Sequence, residues 1–300
     1  MHAVVMHETG APAVLRYEQV EPPEPDDGEL LIRVHAASVN PIDWKFRRGF
    51  VDKPLPAVLG IDVSGTVELS RADGFARGDE VFGRCKSGSY AELATAAATA
   101  IARKPAGLSH EQAAAIPVAG LTAWDALFDH AGLAAGQTAL IAGAPGGVGH
   151  FGVQLAKHKG ARVIGIGSSR NRDFVLGLGA DDYVDYTQQE AGEAVSGVDV
   201  ALDTVGGETT ASLVPTLREG GILVTIAGAA PEEAARERGA RAELVVMDAP
   251  VQTLAAIAEL VVSGDVRVEL TELPLTEVQR AHELSESGHA RGKIVLTVVT

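Results

Sequence analysis

A run of small residues between positions 142 and 149 combines the residue types and the spacing that phosphate binding requires. The run is Ala142-Gly143-Ala144-Pro145-Gly146-Gly147-Val148-Gly149, between a strand-like segment (138–143) and a helix-like segment (148–159). Where side chains are small, a strand can turn directly into a helix. A pyrophosphate can then approach the backbone and the positive end of the helix dipole. Glycines three residues apart are typical of dinucleotide-binding turns.

This turn supplies five candidate cofactor-binding residues, which are Gly143, Pro145, Gly146, Gly147 and Val148. A glycine motif taken alone also fits a plain tight turn, so that alternative stays open for the motif itself. The strand–helix–strand pattern around the motif favours the dinucleotide site.

The residues after the next strand indicate which dinucleotide binds. Segment RVIGIG (162–167) is followed by Ser168-Ser169-Arg170-Asn171-Arg172, and the first carboxylate is Asp173. An NAD site normally has an acidic residue here for the ribose 2′-hydroxyl, whereas hydroxyls and a guanidinium suit a 2′-phosphate. Ser168, Ser169 and Arg170 therefore predict NADPH as the cofactor. A second interpretation, in which Ser169 caps the next helix, is compatible with phosphate binding.

Strand-like and helix-like segments alternate from residue 138 onward. Near-continuous runs of Val, Ile and Leu separated by helices are typical of a parallel sheet buried on both faces. Six such runs predict a doubly wound, Rossmann-type domain. The runs are TALIAG (138–143), RVIGIG (162–167), DYVDY (182–186), VDVALD (198–203), GILVTIAG (221–228) and AELVVM (242–247). Val205 follows the fourth of these runs, and Ala227 and Gly228 end the fifth, so all three lie at the carboxyl edge, where ligands bind in such sheets.

Residues 1 to about 110 show a different pattern. Short strand-like runs are separated by clusters of Pro, Gly and Asp, which predicts a barrel-like or sandwich-like β domain. The mixed segment at the end of the chain is expected to complete that domain. We therefore predict an α/β protein in which residues 1–117 plus 266–300 form the substrate domain and residues 118–265 bind the cofactor.

Composition excludes several classes of protein. The chain has 300 residues, and 25 Lys and Arg against 40 Asp and Glu give a net charge of −15. Such a charge disfavours a nucleic-acid partner. The single cysteine, Cys85, excludes an intrachain disulfide and a multi-cysteine zinc site. Neither a leader nor an apolar run of membrane-spanning length is visible, so we expect no membrane partner and a cytoplasmic location.

Nine stretches, in one order along nearly the whole chain, carry a family resemblance. They are VNPIDWKFRRG (39–49), LPAVLGIDVSGTVE (55–68), GDEVFG (78–83), GSYAE (88–92), IPVAGLTAWDAL (116–127), AGAPGGVGHFGVQLAK (142–157), LGADDYVDY (178–186), LDTVGG (202–207) and GKIVL (292–296). The chain resembles the zinc-independent quinone oxidoreductase (zeta-crystallin-like) branch of the medium-chain dehydrogenase/reductase superfamily. The resemblance implies a GroES-like β-rich substrate domain around a Rossmann domain, with the active site in the cleft between them.

The resemblance also implies roles for single residues. Asn40 would donate a hydrogen bond to the substrate oxygen, and Thr122 would lie near the nicotinamide ribose. Tyr186 would lie by the adenosine phosphate, while Gly292 and Lys293 would reach the cofactor. Each residue also has an ordinary alternative. Asn40 would instead form a turn before Pro41, and the Thr122 hydroxyl would bond within its own helix. Tyr186 would be an aromatic residue at the edge of a strand, and Gly292 and Lys293 would lie at the surface.

Zinc-dependent members of the superfamily carry a catalytic metal, and the matching positions here lack its ligands. Gly60-Ile61-Asp62 stands where a His-Glu pair would be, and Ser38-Val39-Asn40 stands where the first cysteine would be. Isoleucine cannot ligate a metal, and tetrahedral zinc sites need nitrogen or sulfur ligands. The sequence therefore predicts no metal site.

These observations predict a zinc-independent, NADPH-dependent oxidoreductase that transfers a hydride to a quinone or an α,β-unsaturated carbonyl compound. Two alternatives stay open: an enoyl reductase acting on a thioester or polyketide-type intermediate, and a non-catalytic NADPH-binding sensor. Trp44, Phe46 and Phe50 either line an apolar substrate pocket or belong to the core. The predicted sheet edge at 242–247 and the family resemblance predict a homodimer.

Overall fold

The structure is a computed structural model that describes residues 1–298. Sixteen strands form within this range. They are β1 His2–Met6, β2 Leu15–Gln19, β3 Glu29–Val39, β4 Ala57–Val58, β5 Asp62–Ser70, β6 Glu80–Arg84, β7 Leu93–Ala97, β8 Ile101–Arg103, β9 Thr138–Ala142, β10 Arg162–Gly167, β11 Asp182–Asp185, β12 Val198–Asp203, β13 Leu217–Thr225, β14 Arg241–Leu244, β15 Leu270–Pro274 and β16 Lys293–Thr297.

Ten α-helices connect these strands in the described part of the chain. They are α1 Pro41–Arg48, α2 His110–Ala115, α3 Pro117–Trp124, α4 Gly147–His158, α5 Arg172–Gly177, α6 Ala191–Ala194, α7 Glu208–Leu213, α8 Glu232–Glu237, α9 Val251–Ser263 and α10 Val278–Glu286. A π-helical segment, Asp125–His130, continues α3. No helix among residues 1–298 is long and apolar enough to cross a membrane.

The chain forms two compact units. The first contains Met1–Val118, Pro250–Ser263 and the described residues from Val268 onward, and the second contains Ala119–Ala249 and Gly264–Arg267. Helix α9 is thus grouped with the first unit, whereas the predicted division placed it in the cofactor domain. The predicted boundaries at 117/118 and 265/266 stay a prediction.

The first unit is rich in β structure, as expected of a GroES-like domain. Its larger sheet has the order β15-β16-β3-β5-β6-β8, with β7 also paired to β3, and a smaller sheet has the order β2-β1-β4. Strand β16 pairs antiparallel with β3, with Ile294 opposite Val39. The end of the chain therefore completes the sheet that the first residues begin. This pairing brings the start of β16 beside the end of β3, where Asn40 follows.

The second unit is a six-stranded parallel sheet with the order β11-β10-β9-β12-β13-β14. This confirms the predicted doubly wound fold. The strand order reverses beside β9, and the carboxyl ends next to such a reversal form the usual ligand crevice of this fold. The strands are buried on both faces, as their continuous apolar runs predicted.

Candidate active site

Asn40 is held at the junction between β3 and α1. Its backbone is extended, and Pro41 occupies the first position of the helix, where its missing N–H and fixed φ are favourable. The backbone N–H of Asn40 donates to Asp43 Oδ2 at 2.8 Å. The Asn-Pro-Ile-Asp sequence thus fixes the backbone of Asn40 locally, and only 3% of the residue is exposed.

The side chain of Asn40 lies between a buried carboxylate and a buried ammonium group. Its Nδ2 donates to Asp62 Oδ2 at 2.8 Å, and its Oδ1 accepts from Lys293 Nζ at 2.5 Å. Asp62 also accepts from Ser38 Oγ at 2.6 Å and from the backbone N–H of Val118 at 2.9 Å. Three residues from the two segments that stand at the zinc-ligand positions, Ser38, Asn40 and Asp62, therefore form a hydrogen-bonded cluster with Lys293, and we call these four residues the amide cluster.

Asp43 lies next to the amide cluster and is bonded to it through the backbone of Asn40. Besides Asn40 it accepts from Tyr90 Oη at 3.0 Å and from the backbone N–H of Gly60 at 3.3 Å. Burial raises the pKa of Asp43 to about 6, although the bonds from Asn40 and Tyr90 oppose the shift. Burial also lowers the pKa of Lys293, and the nearby carboxylates counteract this change. The cluster is therefore a low-dielectric environment in which charged partners interact strongly.

Gly292 and Lys293 lie with Asn40 in the first unit. Lys293 begins β16 and is 3% exposed, and its ammonium group is engaged by Asn40 and the Val39 carbonyl. Gly292 has a φ of +61°, and a Cβ there would lie 2.2 Å from the Glu269 carbonyl oxygen. The surface alternative for Lys293 is wrong because the side chain is buried. Cofactor contact by either residue stays a prediction.

The glycine turn follows β9 in the second unit and has the geometry that a pyrophosphate needs. Gly143 adopts a φ of +71°, and a Cβ on Gly149 would lie 2.1 Å from the Gly143 carbonyl oxygen. At Gly146 the nearest atom to an added Cβ is the same oxygen at 3.2 Å, which is a tight contact but a much less severe one than at Gly149. Gly146 caps α4 without a side-chain hydrogen bond. The backbone N–H groups at the start of α4 therefore suit an anion.

The residues after β10 and β11 meet at one edge of this sheet. Ser168 precedes a short 3₁₀ turn, Ser169–Asn171, and its carbonyl accepts from Tyr183 Oη at 2.6 Å. Ser169 and Arg170 are exposed. The backbone N–H of Tyr186 donates to the Gly167 carbonyl at 3.3 Å, and 59% of Tyr186 is exposed. Tyr186 therefore follows β11 rather than ending it, and its backbone is bonded to the residue before Ser168, while its contact with the cofactor stays a prediction.

A buried carboxylate, which the sequence pattern did not single out, organises the next loop. Asp203 Oδ1 accepts from the backbone N–H groups of Val205 and Gly206 at 2.9 and 3.0 Å. Its Oδ2 accepts from Thr210 at 2.5 Å and from Thr225 at 2.9 Å. A fully buried Asp at the end of an apolar strand is the signal that could have revealed this role, because such a group needs several donors.

The loop held by Asp203 packs against the glycine turn. Thr204 Oγ1 donates to the Ala142 carbonyl at 2.8 Å, and an added Cβ on Gly143 would lie 3.0 Å from Val205. A Cβ on Gly206 would lie 2.3 Å from the Ala227 carbonyl oxygen, and Gly228 follows with a φ of +149°. The structure therefore brings Val205, Ala227 and Gly228 to the same carboxyl edge as the glycine turn.

Thr122 is buried in α3, and its predicted place near the nicotinamide ribose stays a prediction. The three aromatic residues after Asn40 divide into two kinds. Phe46 packs against the apolar core of the first unit. Trp44 is half-buried and meets Phe50 edge to face at 6.2 Å, while 72% of Phe50 is exposed. Phe50 is thus the most exposed of the three, and a substrate-lining role for this group stays a prediction.

Comparisons with known proteins agree with this architecture. The family models for the alcohol dehydrogenase GroES-like domain and for zinc-binding dehydrogenases match residues 26–120 and 178–296. The chain is 34% identical to the mitochondrial NAD(P)H oxidoreductase RTN4IP1 of Mus musculus, with 100% of this chain and 89% of the relative covered. It is 32% identical to the chloroplast envelope quinone oxidoreductase homolog of Arabidopsis thaliana, with 99% and 98% covered.

Solved structures give the same result. The quinone oxidoreductase from Coxiella burnetii superposes with a TM-score of 0.94 at 36% identity, over 100% of this chain and 99% of that one. The chain belongs to the medium-chain dehydrogenase/reductase superfamily, in its quinone oxidoreductase branch. Another quinone oxidoreductase, that of Escherichia coli in complex with NADPH, superposes with a TM-score of 0.92 at 26% identity, over 99% and 100% of the chains. The chain is therefore an oxidoreductase of the kind that uses a nicotinamide cofactor.

The zinc named in one family description does not fit the residues present in this oxidoreductase. Where a metal would be ligated, Asn40 and Asp62 are hydrogen-bonded to each other and Ile61 has no donor atom. Among residues 1–298, no three His, Cys, Asp or Glu side chains are grouped to hold a metal ion.

The expected cytoplasmic location is wrong in light of the relatives. The two relatives described above are named as a mitochondrial protein and a chloroplast envelope protein, which contradicts the expectation. The expectation rested on features that were not seen in the sequence, and such an absence does not identify a compartment.

Proposed function

We propose that the protein is a zinc-independent reductase that uses NADPH to reduce a quinone or an α,β-unsaturated carbonyl compound. The observation that carries this proposal is the glycine turn, where Gly146 begins α4 without a side-chain cap and the first backbone N–H groups of the helix can bind an anion. The quinone oxidoreductases among the relatives and the neighbour bound to NADPH support the same class of reaction.

When bound, a reduced nicotinamide supplies the hydride. A carbon conjugated with a carbonyl group accepts a hydride readily because the negative charge then develops on the carbonyl oxygen. Asn40 offers a hydrogen-bond donor for that oxygen, and its amide is already fixed before the substrate arrives. A preorganised donor in a buried environment stabilises the transition state more than the ground state. The carbonyl oxygen, which carries the negative charge after hydride transfer, then takes a proton from water.

The preference for NADPH rests on the edge that follows β10. Ser168, Ser169 and Arg170 offer two hydroxyls and a guanidinium, and the next carboxylate in the chain is Asp173. Both Ser169 and Arg170 are exposed, so a ligand can reach them. A planar, charge-assisted donor is well suited to the 2′-phosphate.

Titration with NADPH, followed by nicotinamide fluorescence, tests the cofactor part of the proposal. A panel of benzoquinones, naphthoquinones, enones and coenzyme A enoyl thioesters then tests the substrate. We expect micromolar NADPH binding and turnover of quinones or enones. Asn40→Ala should keep NADPH binding but lower kcat by about 100-fold. Absence of a fluorescence change at micromolar concentrations, or turnover of enoyl thioesters alone, contradicts the proposal.

The second unit also supports a homodimer. Strand β14 is an edge of the parallel sheet, and its last residue, Leu244, and the nearby Val246 are 50% and 81% exposed. Exposed apolar residues on an open strand edge are unfavourable unless another surface covers them. Light scattering should give the mass of two chains, and Val246→Lys should shift the protein toward one. A wild-type mass of one chain would refute the dimer.

A further inference from the structure

The amide of Asn40 is contacted at its two ends by groups of opposite charge. Lys293 Nζ lies 2.5 Å from its oxygen, and Asp62 Oδ2 lies 2.8 Å from its nitrogen. All three residues are at least 96% buried. Both contacts are charge-assisted hydrogen bonds, which are roughly twice as strong as neutral ones.

This arrangement distinguishes the two orientations of the amide. If the amide were rotated by half a turn, its oxygen would face the Asp62 carboxylate and its hydrogens would face the Lys293 ammonium group. Both contacts would then be repulsive, in an environment where water cannot screen them. The cation and the anion together therefore define which end of Asn40 is the donor.

One donor position remains. An amide nitrogen carries two hydrogens, and Asp62 accepts one of them. The positive charge at the amide oxygen draws electron density from the nitrogen, which strengthens the remaining N–H as a donor. Asp62 is itself fixed by Ser38 and by the backbone of Val118, so it cannot rotate away.

We infer that Lys293 and Asp62 are positioning residues, which fix the direction of the Asn40 amide so that its second N–H is directed to the carbonyl oxygen of the substrate. This inference rests on the proposed function. Lys293 thus has a role different from the cofactor contact that the family resemblance implies. A cofactor contact predicts that replacing Lys293 weakens NADPH binding, whereas a positioning role predicts little change in that binding.

A double-mutant cycle between Lys293 and Asn40 tests the inference. Lys293→Met nearly keeps the length of the side chain but removes its charge, and it should lower kcat by about 10- to 100-fold. Its dissociation constant for NADPH should stay within about twofold of the wild type. In the Asn40→Ala background, Lys293→Met should lower kcat by no more than about twofold, because the group that it positions is gone. Additive losses, or a loss confined to NADPH affinity, would overturn the inference.

Two further variants keep the test decisive. If Lys293→Met does not fold, Asp62→Asn removes the other charge at nearly constant volume, and it should show the same non-additivity with Asn40→Ala. Lys104→Met is the matched control, because Lys104 is also a buried lysine beside a carboxylate, with Glu80 at 3.2 Å. It should lower Tm but leave kcat within about twofold of the wild type. An equal loss of kcat in Lys104→Met would show that any buried lysine has this effect.

Nuclear magnetic resonance separates this inference from the proposed function. The side-chain amide signals of Asn40 are identified by their loss in Asn40→Ala. Their hydrogen exchange should be slow in the wild type and in Lys104→Met, and faster in Lys293→Met or Asp62→Asn. Unchanged exchange in the latter two variants overturns the positioning role, even if the enzyme reduces quinones. Failure of the wild type to reduce any quinone or enone instead rejects the proposed function.

Discussion

The amide cluster of the first unit and the carboxyl edge of the second unit are built in different ways. In the amide cluster, buried side chains hold one another, and the functional group is the Asn40 amide between Asp62 and Lys293. At the carboxyl edge, small residues expose the backbone, and the functional groups are the N–H groups at the start of α4.

This difference determines how each site responds to change. A site made of backbone depends on the absence of side chains, so adding one atom can damage it. A site made of buried charges depends on partners, so removing one group leaves another unsatisfied. The first unit should also respond to pH through Asp43, which is bonded to the amide cluster, whereas a turn made of glycines has no group that titrates.

The largest effect is expected from adding a methyl group to the glycine turn. Gly149→Ala would place a Cβ 2.1 Å from the Gly143 carbonyl oxygen, which backbone atoms cannot avoid. We expect a loss of stability of about 3 kcal/mol or more. Gly146→Ala is the matched control, because its nearest contact is 3.2 Å. It should lower the urea midpoint much less than Gly149→Ala does, and it should weaken NADPH binding. Equal stability of both variants would mean that the close approach at Gly149 is not required.

Removal of the buried carboxylate at the carboxyl edge should have the next largest effect. Asp203→Ala leaves four donors without an acceptor, so unfolding in urea should show a loss of about 3 kcal/mol, together with weaker cofactor binding. Asp199→Ala, at the other end of β12, removes bonds to Thr138 and Arg218. This variant should lower the free energy of unfolding by about 1 kcal/mol and leave cofactor affinity unchanged. The same affinity in both variants would contradict the role assigned to Asp203.

Asp43 should make the first unit sensitive to pH. Its pKa is raised from 3.8 to about 6 in the folded protein, so the unfolded chain loses this proton at lower pH than the folded chain. Asp43 therefore stabilises the fold below pH 3.8, and this contribution declines as pH rises to about 6. Over this pH range the contribution of Asp43 to the free energy of unfolding changes by about 3 kcal/mol. As pH rises from 4 to 6, the free energy of unfolding of Asp43→Asn should therefore increase relative to that of the wild type.

Asp79→Asn provides a control of opposite sign. The hydrogen bond from Arg103 lowers the pKa of Asp79, so this group stabilises the folded protein at high pH and loses that effect as pH falls. The variant should therefore lose stability relative to the wild type as pH rises. Parallel pH profiles for Asp43→Asn and Asp79→Asn would contradict the raised pKa of Asp43.

The smallest effect is expected on cofactor choice. Arg170→Ala should reduce the ratio of kcat/KM for NADPH to that for NADH by about 10-fold, because one charge-assisted bond to the 2′-phosphate is lost. Arg172→Ala is the control, since this guanidinium donates to the Tyr183 carbonyl at 3.4 Å and covers the Tyr183 ring. It should alter stability rather than cofactor preference. If neither variant changes the ratio, the predicted preference for NADPH is wrong.

Sequence patterns were most informative where a structural role depends on neighbouring residues. The alternation of apolar runs and helices predicted the six-stranded parallel sheet, and the glycine spacing predicted the turn at its switch point. The position of Lys293 was only partly foreseen. Its place in the chain suggested an exposed or cofactor-binding residue, whereas it is buried against Asn40, which lies 253 positions earlier.

The sequence by itself determined the glycine turn, the loss of the zinc ligands and the class of each unit, because these depend on residue type and local periodicity. Only the tertiary structure decided that Asp203 organises the carboxyl edge and that Lys293 and Asp62 hold the two ends of the Asn40 amide. The physical reason is that β16 pairs with β3 across the whole length of the chain. Neither periodicity nor motif spacing encodes which charges such a pairing buries together.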